Sequence, residues 1–113
     1  MTMILRNTTR NSVLAVRVQL ADTLGWRLRG MLWRSFDGFD ALLFERCDAI
    51  HMFFMHMPLD VLFLDRDGRV CGIRHGLRPW RLACCAGARR TIELPPGVIA
   101  ASGTCVGDVV SVE

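Results

Sequence analysis

The chain has 113 residues, 51% of them hydrophobic and 22% charged, with a mean hydropathy of +0.29. That is one compact domain's worth of sequence, with too much apolar content for a disordered chain. A formal net charge of +3 is too small to argue for nucleic acid, and no apolar run approaches the roughly 20 residues that a membrane helix needs. The expected localisation is cytoplasmic: residues 1–10 lack the apolar core of an export signal. The five cysteines, Cys47, Cys71, Cys84, Cys85 and Cys105, are odd in number and include an adjacent pair, a poor basis for a disulfide framework.

Residues 1–11 are polar and are expected to form a flexible start, with a single globular domain over 12–113. From Val13 to Leu20 apolar and polar residues alternate, placing Leu14, Val16, Val18 and Leu20 on one face of a strand. Asp22 or Thr23 can cap a short helix in which Leu24, Leu28, Met31 and Leu32 form an apolar stripe. Trp26, Trp33, Arg27 and Arg34 then lie on the opposite side, and Gly30 is a candidate end to the helix. Ala41–Phe44 and Leu59–Asp65 have strand length. The Asp67-Gly68 pair after the second predicts a hairpin into Arg69–Ile73. A strand at Arg90–Leu94, a stop at Pro95-Pro96-Gly97, a helical turn near Val98–Ala101 and a last strand at Asp108–Val112 complete the pattern. The fold class is therefore α+β and β-rich: a compact, mainly antiparallel sheet or small barrel with one or two short helices.

Charge is blocked along the chain. Residues 1–36 and 69–92 are basic, whereas 37–68 and 93–113 are acidic, and all fourteen basic residues are arginine. Arg27, Arg29 and Arg34 are candidate anion-binding residues because guanidinium groups hold anions in bidentate fashion. Trp80, set among Arg78, Arg81 and His75, is a candidate to stack on such a ligand. Cys47 to Pro58 holds one thiol, two imidazoles and three thioethers, which makes Cys47, His51 and Met55 candidate metal ligands. In an extended strand, however, four residues span roughly 13 Å, too far for neighbours in the series to share an ion. Residues 47–60 are expected to be mostly extended. Asp60, at the entrance to a very apolar strand, must find an arginine or backbone N–H partners, or serve as a ligand-binding or acid–base group.

The leading expectation is a non-catalytic binding domain for a small anionic ligand or a protein partner, using Arg27, Arg29, Arg34, His51, Asp60 and Trp80. The alternative is a metal-binding or enzymatic thiol–imidazole site built on Cys47, His51 and Asp60. No catalytic motif is recognisable, no cofactor is implied, and neither nucleic acid nor a membrane is an expected partner.

Several segments, taken in order, are similar to one family. They are Arg27-x-x-Gly30-Met31-Leu32-Trp33-Arg34, Ala41-Leu42-Leu43-Phe44, Ile50-His51 and Pro58-Leu59-Asp60-Val61-x-Phe63-Leu64-Asp65-x-Asp67-Gly68, then Glu93-Leu94-Pro95-x-Gly97 and Gly107-Asp108. Together they resemble domain of unknown function 192, from about Asp22 to Val112. Met52, His56 and Ala41 depart from its usual threonine, arginine and glycine, while Cys47 and His51 look like choices of its bacterial branch. The resemblance implies a compact, mainly antiparallel β fold with short helices and supplies no established activity.

Overall fold

The computed structural model describes residues 3–22, 36–53 and 55–113. Among them the strands are β1 Leu5–Asn7, β2 Ser12–Ala15, β3 Val18–Leu20, β4 Ala41–Glu45, β5 Ala49–His51, β6 Leu59–Leu64, β7 Val70–Leu77, β8 Leu82–Cys84, β9 Arg90–Leu94 and β10 Val110–Val112. One short helix, α1, spans Val98–Ser102. The helix expected after Asp22 lies outside the described residues, and so do Arg27, Arg29 and Arg34.

A five-stranded sheet, in the order β3-β4-β9-β6-β7, forms the middle of the molecule. Its pairs are antiparallel except β3 with β4. It is open, not a closed barrel. Its central strands are covered on both faces, which explains why Leu59–Leu64 is buried at every position and reads as an apolar run without alternation. One face packs Leu43, Leu62, Leu64, Ile92 and Leu94 against α1 and a three-stranded antiparallel sheet, β10-β1-β2. Leu42, Phe44, Leu59, Val61 and Phe63 point the other way. They pack with Met52, Met55, Ala83 and Ala88 beneath the two-stranded ribbon of β5 and β8.

Two expectations are corrected. From Leu5 onward the start of the chain is not a loose tail: β1 is the middle strand of its sheet, pairing with β10 and β2, and Leu5 is fully buried. The strand expected over Val13–Leu20 bends and divides between two sheets. Asp40 causes the break, because its carboxylate accepts the N–H groups of Val16 at 2.9 Å and Arg17 at 2.8 Å. Val16 consequently turns outward, 51% exposed, instead of joining Leu14 and Val18 in the core.

A buried polar knot fastens the chain ends together. Asp108 Oδ2 accepts from Arg10 Nε at 2.7 Å, from Asn7 Nδ2 at 3.0 Å and from the Cys105 N–H at 2.9 Å. The Arg10 and Asn7 hydrogen bonds and the Cys105 N–H hold the Asp108 carboxyl at about 2, below its ordinary 3.8. A lowered carboxyl pKa contributes stability that is complete above the unfolded value and is lost as pH falls through the folded one. The stability advantage of the wild type over Asp108→Asn should therefore be constant near neutrality and shrink between about pH 4 and pH 2. Urea midpoints measured across that range check this.

Candidate functional site

The second basic block forms the most coherent surface feature. A groove of about 390 Å³ is lined by Ile73, Arg74, His75, Gly76, Leu77, Arg78, Arg81 and Leu82. It runs from the end of β7 through a turn to the start of β8. Pro79 falls in that turn, in keeping with its missing backbone donor. No carboxylate stands among these residues, and no acidic side chain pairs with Arg74, Arg78 or Arg81 among the described residues. Two other depressions are mixed in sign: one includes Asp22, Glu45 and Arg46, the other Glu45, Asp65 and four arginines.

The groove's shape has identifiable causes. Between Leu59 and Val61 the register of β6 against β7 shifts, so β7 carries an extra residue at His75-Gly76. Gly76 has φ +56°, the left-handed conformation that glycine accepts most readily in such a bulge. Asp60 holds the bulge through its Oδ1, which accepts the Gly76 N–H at 2.8 Å. Its Oδ2 accepts the N–H groups of Gly97 and Ile99, both at 3.0 Å. Gly97 has no side chain with which to cap α1, so Asp60, from a distant strand, supplies the acceptor. The residue is 1% exposed and its carboxylate is occupied by three backbone donors. Asp60 thus supports the groove from within.

The turn above the groove is pinned to a buried residue. Trp80 N–H donates to Met52 O at 2.6 Å and Met52 N–H donates to Arg81 O at 2.8 Å, while Met52 is 1% exposed. Trp80 adopts φ +71°, a conformation that costs a bulky residue on the order of 1–3 kcal/mol and that tends to persist at functional sites. It leaves the indole 59% exposed. His51 and Phe53 extend this aromatic surface: their rings stack with centroids 5.0 Å apart, and Phe53 lies 6.0 Å from Trp80. His51 also pairs through β5 with Leu82, a groove residue. Arg74 lies with its guanidinium 5.7 Å from the Phe63 ring centroid and donates to the carbonyls of Ile73 and Cys84, so it is anchored at the groove wall.

His51 and Trp80 are therefore brought into one surface, beside arginines different from the three favoured in the sequence. The thiol–imidazole set is dispersed. Cys47 and Met55 pack with the apolar cluster around Leu42, Phe44 and Leu59, whereas His51 is exposed and its Nδ1 accepts the Phe53 N–H at 3.3 Å. The Cys47 thiol donates to Ala49 O at 3.2 Å. Asp60 shares the sheet face of Leu62 and Leu94, opposite the β5–β8 ribbon, so the sheet separates it from Cys47 and His51. Residues 52, 53 and 55–58 belong to no strand, and Met55 N–H turns back to Met52 O, so the expected extended run over 47–60 is interrupted. No cluster of three His, Cys, Asp or Glu side chains suited to a metal occurs among the described residues.

Sequence pattern alone assigns Glu93 no role. It sits on β9 opposite Leu42 and Val61, is 6% exposed, and has no paired cation or hydrogen-bond donor among the described residues. Burial pushes its carboxyl from 4.5 up to about 8. The signal that could have found it is a lone acid inside Arg90–Leu94, a strand that lies between the largely apolar β4 and β6.

The open, three-layered, β-rich arrangement defines a compact α+β domain, and no helix of the described residues is long and apolar enough to cross a membrane. The chain belongs to the domain of unknown function 192 family, described as Uncharacterized ACR, whose model matches residues 5–112. It is 38% identical to a UPF0127 protein of Thermococcus sibiricus, over 95% of this chain and 73% of the relative. Another UPF0127 protein, of Thermococcus gammatolerans, is also 38% identical, over 93% and 72%. These relatives are archaeal, which corrects the expected placement in a bacterial branch. Among solved structures, the fold matches a protein of unknown function from Novosphingobium aromaticivorans with TM-score 0.78 and 26% identity, covering 96% of this chain and 82% of that one. A Sinorhizobium meliloti protein, provisionally named a transcription regulator, matches with TM-score 0.76 and 22% identity, covering 97% and 91%.

Proposed function

We propose that the domain binds a small anionic ligand in the groove between β7 and β8. The observation that carries this reading is the grouping of Arg74, His75, Arg78 and Arg81 around one groove, with none of these arginines ion-paired among the described residues and the Asp60 carboxylate beneath it taken up by backbone N–H groups. Arginines without an ion-paired carboxylate among the described residues present N–H forks and a positive field to an anion. The adjoining Trp80, Phe53 and His51 rings offer a planar or apolar portion of the ligand a place to stack. Among the described residues lining the groove no Ser, Thr or Cys nucleophile stands beside a base, which favours binding over catalysis.

Titration calorimetry with inorganic pyrophosphate and with adenosine monophosphate tests the proposal at low and moderate salt. Arg78→Ala combined with Arg81→Ala should weaken either probe about 10- to 100-fold, the cost of losing charge-assisted hydrogen bonds. Trp80→Ala should weaken adenosine monophosphate and leave pyrophosphate nearly unchanged. Absence of measurable binding by both probes, or equal binding by the double variant, overturns it.

The exposed strip of Phe53, Trp80 and Leu82 supports a second reading, in which the anion is an acidic side chain of a protein partner. Leu82→Asp would then abolish partner binding and leave pyrophosphate binding weakened only by its added charge.

A further inference from the structure

We propose that Cys71 and Cys85 are a modification site, a dithiol that closes reversibly into a disulfide joining β7 to the chain just after β8. Their sulfurs are 3.4 Å apart, with the Cys85 thiol donating to the Cys71 sulfur. Both backbones are already fixed. Cys71 lies within β7, while Cys85 N–H donates to Asp48 O at 2.9 Å and Cys85 O accepts the Ala88 N–H at 3.1 Å. A disulfide needs about 2.05 Å between sulfurs, so closure is a side-chain adjustment of roughly 1.4 Å.

The contact depends on the residue between them and β6. A Cβ on Gly72 would lie 2.9 Å from the Cys85 sulfur and 3.3 Å from the Phe63 ring. Glycine at 72 is what lets the Cys85 side chain lie against β7. The neighbouring Cys84 faces solvent, whereas Cys71 and Cys85 both pack beside Val61, Phe63, Ala83 and Ala88. Thus the adjacent pair in the sequence is not the reactive pair; the partners are fourteen residues apart.

The oxidant is a small-molecule disulfide, RSSR. The Cys85 thiolate attacks one of its sulfurs, forming a Cys85–S–S–R bond and expelling RS⁻. The Cys71 thiolate then attacks the Cys85 sulfur, forms the protein disulfide and expels a second RS⁻. Two electrons pass from the protein thiols to RSSR, and the two protons lost by the thiols are taken up by the two RS⁻ to give 2 RSH. Burial raises the Cys71 thiol from 9.0 to about 11. Cys71 is accordingly the resolving thiol, and its step should quicken as pH rises. Arg74, His75, Arg78, Trp80 and Arg81 all lie between the two cysteines in the chain, so the bond would close a ring around the groove.

The full chain, incubated with oxidised glutathione, acid-quenched, alkylated and digested with trypsin, should yield peptide 70–74 joined to peptide 82–89 in the wild type and in Cys84→Ser. The joined species should disappear with Cys71→Ser, Cys85→Ser or dithiothreitol. Cys71→Ser should instead accumulate glutathione on residue 85. Gly72→Ala, which keeps all five thiols, should slow ring closure at least tenfold, and closure in the wild type should be at least tenfold faster at pH 9 than at pH 7. The oxidised wild type should melt on the order of 5 °C or more higher. A bond from Cys84, or free alkylation of Cys71 and Cys85 after glutathione treatment, overturns the proposal.

Discussion

Replacing Asp60 with alanine should destabilise the domain by about 3–5 kcal/mol, the largest single loss expected from a side chain outside the apolar core. Three backbone donors, on Gly76, Gly97 and Ile99, would lose their acceptor at once, at a residue 1% exposed. A domain of this length has a total stability of only about 6–17 kcal/mol, so the variant would approach the unfolding threshold. Asp60→Asn keeps the size and one carbonyl oxygen but turns an NH₂ group toward donors, and should cost about 2–3 kcal/mol. Urea unfolding monitored by circular dichroism measures both. A loss below 1 kcal/mol for the alanine variant would mean that these donors are satisfied in another way.

Stability should also fall steadily as pH rises from about 4.5 toward 8, by on the order of 3–5 kcal/mol in all, because of Glu93. The sign follows from proton binding. Below 4.5 the side chain is neutral in both folded and unfolded chains. Between 4.5 and 8 the unfolded chain releases its proton while the folded one retains it, so raising the pH favours unfolding. Above the folded value the carboxylate is ionised in both states and the full cost of burying it is felt. Glu93→Gln should remove this slope, leaving the variant more stable than the wild type at pH 8 and similar at pH 4.5. Guanidinium midpoints for the two proteins at pH 4.5, 6 and 8 provide the check, and parallel profiles would refute the assignment. Cys71 titrates above this window and does not confuse it.

These two carboxylates illustrate what could be read in advance. Asp60 was visible as an anomaly because it interrupts an apolar strand, and its need for backbone donors or an arginine followed from desolvation alone. Which donors it found depended on contacts up to 39 residues away. Glu93 was less visible, since one acid within a five-residue strand looks like an ordinary outward-facing position until the opposite face is known to be covered. Strands β4, β6 and β9 were legible from apolar runs, and the β6–β7 hairpin and α1 from Asp67-Gly68 and Pro95-Pro96-Gly97. The break between β2 and β3 was not, because its cause, Asp40, is 24 residues removed from Val16. β1 was hidden for the same reason: its partner Val112 lies at the far end of the chain. For the candidate site, the positive block at 69–92 and the position of Trp80 were evident. The concavity was not, as it arises from the Gly76 bulge and from the pinning of the turn to Met52.

β7 is the last strand of its sheet: beyond Val70, which exchanges hydrogen bonds with Gly107 and Asp108, it is laddered only to β6 among the described residues. Its free side is the kind of border on which a second polypeptide can add itself. Arg74 and Arg78, at the kinked end of that border, would set like charges against one another if two copies approached side by side. Neutralising the same guanidinium groups to probe ligand binding would therefore also lower the repulsion that opposes strand addition.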